Sequence, residues 1–383
     1  MPALVVAAMS ARLLAQSARR AGWNVHALDL FGDIDTVAAS DAWHAIGDPV
    51  GLTIDGDRFL AALESERRAA DCVGWIAGAG FEARSDLLEA GAHILPLLGN
   101  DRSIVDRVRD PREFFAALRE FSIPHPETRL DAPPDTSGWL VKDFAAAGAW
   151  HIRRAATDER PTSAHVYFQR ESAGRPMSIL FVADGAKSAP IGVNELIVRA
   201  TSKHPFFYCG AIGPIEVTSP LTRELHHALQ ALTRRFQIRG LGSLDFLLDG
   251  DRLVVLEINA RPSSTMALYE GTTNSGLVRV HVEACDGRLP EPSAWLADSE
   301  VRGECTVFAV GPTHVSAPCV HALVELGCHD VPQPGTTFAA GAPLCSVSAK
   351  AASADAVFAA LARQEASVLS MVQNQSEVDR HVR

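Results

Sequence analysis

The chain has 383 residues, with 35 Lys+Arg against 46 Asp+Glu and a formal net charge of −11. At roughly 100–200 residues per domain this length predicts two or three domains with an ample core. The net-acidic balance gives no overall electrostatic reason to bind nucleic acid or an anionic membrane, and no stretch approaches the ~18–20 apolar residues of a membrane span. Lysine is scarce: Lys142, Lys187, Lys203 and Lys350 are the four in the chain. The seven cysteines are scattered and form no CxxC, so neither a disulfide framework nor a zinc site is expected. The opening MPALVVAAMSARLL lacks a basic stretch ahead of its apolar run, which predicts a chain without a signal peptide and a cytoplasmic location.

In chain order, the first part alternates strand and helix signals. Strands are predicted at Leu4–Ala8, Asn24–Leu30, Cys72–Ala77 and His93–Leu97, with helices at Ala11–Ala21, Phe59–Ala69 and from Ser85. Alternation of this kind predicts a parallel sheet flanked by helices. The first strand–helix junction, AAMSAR, lacks GxGxxG and so argues against a dinucleotide site; it suits a ligand-facing loop at Met9–Arg12. Helices follow at Asp101–Val108 and Pro111–Glu120, until two prolines in IPHPET break the pattern. A β-rich stretch comes next, with strands near 139–144, 151–154, 165–170 and 177–183 and turns at 173–176 and 183–185. A helix at Leu221–Phe236 and a hairpin over 241–259 complete this region. Leu289–Ala297, with two prolines, is a predicted boundary. Beyond it lie strands near 305–310 and 343–348 and a final helix from Asp355 to about Val372.

Three segments carry chemistry. In LGSLDFLLDGDRLVVLEINARPSS, two strands flank Asp249-Gly250-Asp251, and alternation puts Glu257 and Asn259 on one face. A three-residue loop pairs Asp245 with Val255 and brings it to that face, whereas a two-residue loop pairs it with Leu256 and turns it away. In the first register, three oxygen-bearing side chains cluster on an apolar hairpin, which needs a cation or donors to satisfy it; hard oxygen ligands suit Mg²⁺. Arg261 continues the alternation and could meet a phosphoryl oxygen. The alternative is a surface hairpin held by salt bridges. In WLVKDFAAAGAWH, Lys142 sits inside an apolar strand ahead of the small-residue loop Ala145–Ala149, where Gly148 is the one glycine. Such a loop exposes backbone N–H groups to an anion, although an edge-strand lysine reaching to solvent would look the same. In VYFQRESAGRPMSILFVADG, a strand ends at Gln169-Arg170-Glu171 and offers free backbone groups, or is simply a hairpin.

Taken together and in this order, the three segments resemble the ATP-grasp superfamily. Its members carry a lysine before a small-residue loop, then an adenine-contacting hinge, then an acidic residue preceding E-x-N on the next strand. The resemblance covers roughly residues 1–290. It implies a mixed α/β and α+β architecture: an N-terminal parallel-sheet α/β domain (1–97), two grasp subdomains (98–290) and a small C-terminal α+β subdomain (291–383). It also implies that Lys142 contacts ATP phosphate, that the loop containing Gly148 covers the triphosphate, and that Gln169, Arg170 and Glu171 line the adenine–ribose side. Asp245, Glu257 and Asn259 would hold Mg²⁺ or Mn²⁺, and Arg261 would stabilise the transferring phosphoryl group. An earlier lysine that many members use is absent from 97–120, where Arg107 or Arg109 could substitute.

The opening LVVAAMSARLLAQSARRAGWNVHALDLFGDIDT and HPFFYCGAIGP (204–214) are similar to the carboligase branch that includes the tyramine–glutamate ligases of methanofuran and methylofuran synthesis. The resemblance implies an ATP-dependent carboxylate–amine ligase acting on small molecules, with glutamate and tyrosine or tyramine as the favoured pair. Ser10, Ser263 and Ser264 would face the acceptor, with Arg199 and His204 as further candidates. Relatives are often dimers, which makes a homodimer an expected state. A carboxylase using bicarbonate and a biotinylated partner, or a non-catalytic nucleotide-binding protein, are the alternatives.

Overall fold

The computed structural model describes residues 2–69, 71–146, 152–157, 163–200, 205–291 and 300–381. The N-terminal region is a parallel four-stranded sheet in the order Ala42–Ala45, Asn24–Asp29, Ala3–Ala7, Cys72–Ala77. Its central strand, Ala3–Ala7, is buried along its whole length, as an unbroken apolar run between helix-covered faces requires. The helix Arg12–Arg20 makes the first crossover.

Two expectations here need correction. The short strand Ala42–Ala45 and the helix Ile34–Ala38 were not visible in the sequence pattern. The predicted strand His93–Leu97 is reduced to a single bridge between Trp75 and Leu97. His93 caps the preceding helix, and Pro96 has no N–H to give a ladder, although its carbonyl accepts from the Trp75 N–H at 2.9 Å.

The helices Arg102–Arg109 and Pro111–Glu120 lead into the next region. Asp101 caps the first by accepting from the Ile104 N–H at 2.9 Å, and Asp110 caps the second just ahead of its N1 proline. Two antiparallel sheets then face one another. The smaller has the order Thr128–Arg129, Val166–Arg170, Trp139–Asp143, Arg153–Arg154. The larger has seven strands in the order Arg252–Asn259, Arg239–Asp249, Arg175–Asp184, Ser188–Arg199, Phe207–Gly213, Val301–Phe308, Pro343–Ala351. The strand predicted over 177–183 therefore starts at Arg175, and the turn before it lies earlier than 173–176 implied. The strands Ser188–Arg199 and Phe207–Gly213 and the helices Leu277–Cys285 and Ala317–Glu325 were not anticipated. The last helix runs from Ala354 to His381, beyond the expected end near Val372.

Both faces of Arg175–Asp184 are covered. Met177, Ile179 and Phe181 pack under the helix Ser219–Phe236, while Leu180 and Val182 face the helix Leu277–Cys285 that follows the hairpin, in one apolar cluster with Leu14 and Ala18 of the helix Arg12–Arg20. Period-two alternation thus puts one strand in two cores. It ties the N-terminal domain to the sheet that carries the hairpin.

Candidate active site

The hairpin turns over two residues, Gly250 and Asp251, with Asp249 paired to Arg252 and Gly250 at φ 62. This corrects the three-residue register. A two-residue loop would leave Asp245 facing away from Glu257, but the ladder shifts between Phe246 and Asp245: Phe246 pairs with Val255, and Asp245 pairs with Glu257. Leu256 is the extra residue of a β-bulge, and it restores the acidic pair to one face. Asn259, opposite Ser243, donates through Nδ2 to Asp245 Oδ2 at 3.1 Å.

Lys142 comes to this cluster from the smaller sheet. It pairs with Tyr167, and Leu140 pairs with Gln169, so Lys142, Tyr167 and Gln169 share the face turned to the larger sheet. The other face, with Trp139, Val141, Val166 and Phe168, forms its own small core. Lys142 is only 3% exposed. Burial lowers its ammonium pKa, while Glu257 and Asp245 act in the opposite direction. Burial and the neighbouring Glu257 push the Asp245 carboxyl up to about 7, against Arg261, Asn259 and Lys142. Two carboxylates facing one another, with the Asn259 amide, the Lys142 ammonium and the Arg261 guanidinium near them, form a hard-oxygen donor set. That set fits Mg²⁺.

Gln169 is 1% exposed, and its amide Nε2 has no hydrogen-bond partner among the described residues. A buried donor without an acceptor costs ~1–3 kcal/mol, so its persistence points to a ligand with an acceptor edge. Arg170 and Glu171 do not converge with it. Arg170 lies over Trp139 at 5.7 Å and donates to the Ser137 carbonyl at 2.8 Å, while Glu171 takes Arg154 in a bidentate pair at 2.7 and 3.1 Å. Gly148 and His204 lie outside the described residues.

Arg261 extends from the end of the hairpin. Its Nε–H donates to Glu82 of the N-terminal domain, and its Nη2 donates to Asn259 Oδ1 at 3.4 Å. Burial would raise the Glu82 carboxyl, but the Arg261 guanidinium, with Arg109 more distant, holds it below its ordinary value. Of the two candidate substitutes for the missing lysine, Arg109 lines the same cleft as Glu82, Asn259 and Arg261 and donates to the Phe144 and Ala146 carbonyls. Arg107 instead pairs with Glu113 at 3.1 Å and lies over Phe236, away from the cleft. Asn100 fixes both hairpin strands at their ends, donating to the Arg239 and Ala260 carbonyls at 2.8 and 2.9 Å.

The candidate acceptor residues divide. Ser264 Oγ meets the Tyr208 hydroxyl at 2.8 Å; burial raises that phenol, and both Glu304 and Asp245 act on it. Ser263 pairs with Thr265 at 2.8 Å on the same turn. Ser10 donates to Asp330 at 3.3 Å beside Arg12, whose buried guanidinium also binds Glu304 at 2.8 Å and faces Asp35 at 3.7 Å. Near them Asp33 is pushed up to about 8 by burial and by Asp330, Asp29 and Asp35. Arg199 does not join this group: it is held by Glu365 of the last helix at 2.5 and 2.6 Å. Arg12 closes the ligand-facing loop Met9–Arg12 expected from the sequence, whereas Glu82, Glu304 and Asp330 carried no local motif. Tyr208 falls inside the HPFFYCGAIGP segment but had no spacing signal of its own.

Two sheets that clamp a cleft, with lysine on one and paired carboxylates on the other, define the ATP-grasp fold. Residues 108–265 match the family model of the ATP-grasp domain. The chain is 22% identical over 194 residues, 45% of its own length and 18% of the relative's, to the arginine-specific large chain of carbamoyl phosphate synthase from Bacillus subtilis (strain 168). It therefore spans about a fifth of that relative. Among solved structures, biotin carboxylase from Campylobacter jejuni in a β,γ-ATP complex superposes with a TM-score of 0.72 at 13% identity, covering 98% of this chain and 96% of that one. N5-carboxyaminoimidazole synthase from Aspergillus clavatus, in complex with ADP and 5-aminoimidazole ribonucleotide, gives 0.70 at 13% identity, covering 96% and 98%. L-amino acid ligase from Bacillus licheniformis gives 0.65 at 14% identity, covering 95% and 97%. Residues 108–265 thus match an ATP-grasp domain, and the chain shares its fold with these enzymes. Among the described residues, no helix is long and apolar enough to cross a membrane.

Proposed function

We propose that this protein is an ATP-dependent carboxylate–amine ligase. ATP phosphorylates a carboxylate, an amine attacks the acyl phosphate, and amide, ADP and phosphate leave. The observation that carries this reading is the pairing of Asp245 with Glu257 opposite the buried Lys142. Phosphoryl transfer needs positioning and charge neutralisation more than a covalent protein group, and this set supplies both.

In this reading Asp245, Glu257 and Asn259 hold Mg²⁺ or Mn²⁺, which neutralises phosphate charge when bound. Lys142 takes a phosphate oxygen, and Arg261 exchanges Glu82 for the transferring phosphoryl group. Arg109 takes the place of the missing lysine. The unpartnered Gln169 amide reads an acceptor on the adenine edge. The Arg170 and Glu171 N–H groups donate to the Glu127 and Gly138 carbonyls at 2.8 and 2.9 Å, so only their carbonyl oxygens remain to serve the ribose side. The loop with Gly148 covers the triphosphate. The acceptor side runs from Ser263 and Ser264 past Tyr208 to Ser10. There the carboxylates Asp330, Glu304 and Asp35 outnumber Arg12, which suits a co-substrate bearing an ammonium group. Glutamate is the favoured carboxylate and tyrosine or tyramine the favoured amine, as in synthesis of a methylofuran-type cofactor.

The test is incubation with ATP, Mg²⁺, glutamate and each amine, with products read by mass spectrometry. Amide and ADP in equal amounts are expected. No ADP above background with any amino acid–amine pair would overturn the reading. ADP release that depends instead on bicarbonate and biotin would replace it with a carboxylase.

A further inference from the structure

The N-terminal domain holds a second cluster that the reaction above does not use. Glu66, on the helix Gly56–Ala69, is 3% exposed. One carboxylate oxygen, Oε2, is in close contact with His26 Nδ1 on the second strand, and the other, Oε1, lies 2.6 Å from His44 Nε2 on the third. Cys72, the first residue of the fourth strand, points its thiol at the Glu66 carbonyl at 3.8 Å. One ligand atom from each of His26, Glu66 and Cys72 lies within 4.8 Å of the others.

We propose that His26, Glu66 and Cys72 form a binding site for a borderline divalent cation of the zinc class, separate from the candidate active site. Two observations carry this. Glu66 is a nearly fully buried carboxylate whose ion-pair partners among the described residues are imidazoles, with no Arg or Lys. A buried carboxylate needs a compensating positive charge, and here a cation can supply it. The donors are also one nitrogen, one oxygen and one sulfur, converging from a strand, a helix and another strand. That mixture selects zinc-like ions over Mg²⁺ or Ca²⁺, which want oxygen alone. His44 occupies the second carboxylate oxygen and fixes its orientation, the part an outer partner plays around a metal ligand. On binding, the metal gains bonds to His26 Nδ1, Glu66 Oε2 and Cys72 Sγ. The Cys72 thiol proton leaves to solvent, the proton held between His26 Nδ1 and Glu66 leaves to solvent or moves to Nε2, and water fills the fourth position. The site is invisible to motif reading because its residues are scattered over three elements and contain no CxxC.

The test is titration of chelator-treated full-length protein with Co²⁺, in excess Mg²⁺ so that the oxygen site is already occupied. The expected result is a thiolate-to-cobalt near-ultraviolet absorption that saturates at one equivalent and is bleached by Zn²⁺. Cys72→Ser, nearly isosteric, should abolish the band while circular dichroism and ADP release stay unchanged. Glu66→Gln should weaken Co²⁺ binding by about tenfold or more. No saturable band, or a band that persists in Cys72→Ser, would overturn the site and leave a hydrogen-bonded His–Glu–His bridge. The cobalt band and its loss in Cys72→Ser do not depend on the ligase reaction, so the two proposals can fail separately.

Discussion

Asp245 and Glu257 face each other across the hairpin because Leu256 is one residue too many for the ladder. The repulsion this creates is part of what pushes Asp245 up to about 7, after burial. Glu257→Gln removes that repulsion and one ligand together. Stability of the ligand-free protein in urea is expected to hold or rise by about 1 kcal/mol, while Mg²⁺-dependent ADP release falls by about two orders of magnitude, the usual opposition between a strained site and a stable fold. A variant that loses stability and keeps turnover would contradict this pairing.

Lys142 is the buried cation beneath that pair. Arginine keeps the charge but is larger and planar, and it cannot present a compact point charge to phosphate. Lys142→Arg is expected to keep a native circular-dichroism spectrum and lose ~100-fold or more in ADP release, on the scale of losing one transition-state charge contact. Wild-type turnover in Lys142→Arg would place the phosphate contact elsewhere.

The unpaired Gln169 amide is a cost in the free protein. Gln169→Leu removes the unsatisfied donor, so the melting temperature should stay level or rise. The preference for ATP over GTP, read as the ratio of kcat/KM values, should fall by about tenfold, the worth of one hydrogen bond to a base edge. An unchanged ratio would mean that Gln169 does not read the base.

His281 links the segment at Leu98 to the first strand of the hairpin. Its Nδ1 accepts from the Leu241 N–H at 2.9 Å, its Nε2–H donates to the Leu98 carbonyl at 2.9 Å, and burial lowers its pKa from 6.5 to about 4. The unfolded chain therefore binds more protons than the folded one between those values. Stability should fall as pH drops from about 6.5 to about 4, with this group contributing on the order of 3 kcal/mol over the window. His281→Asn keeps an acceptor and a donor without titrating, so urea unfolding of the variant should show a flatter acid limb than the wild type. Parallel limbs would assign the acid sensitivity to other groups.

The sequence made some of this legible and hid the rest for physical reasons. The helix Pro111–Glu120 and the strand Cys72–Ala77 were read to the residue, because a proline start and an apolar run are local signals. The strand Ser188–Arg199 was missed: Pro190, Gly192 and Asn194 interrupt its pattern, and only pairing on both sides makes it a strand. The acidic pair was placed on the correct face through the wrong loop, since a bulge is decided by the sheet and not by the turn. Glu82 reaches Arg261 across 179 positions of chain, and Arg12 reaches Asp330 across 318, distances over which no spacing rule operates.

In the proposed reaction ATP activates a carboxylate as an acyl phosphate. The most direct measurement supplies the carboxylate substrate labelled with heavy oxygen, together with ATP, Mg²⁺ and the amine, and analyses the released phosphate by mass spectrometry. One labelled oxygen in each phosphate is expected, with ADP formed in step with the amide. Unlabelled phosphate, or AMP and pyrophosphate in place of ADP, would contradict it.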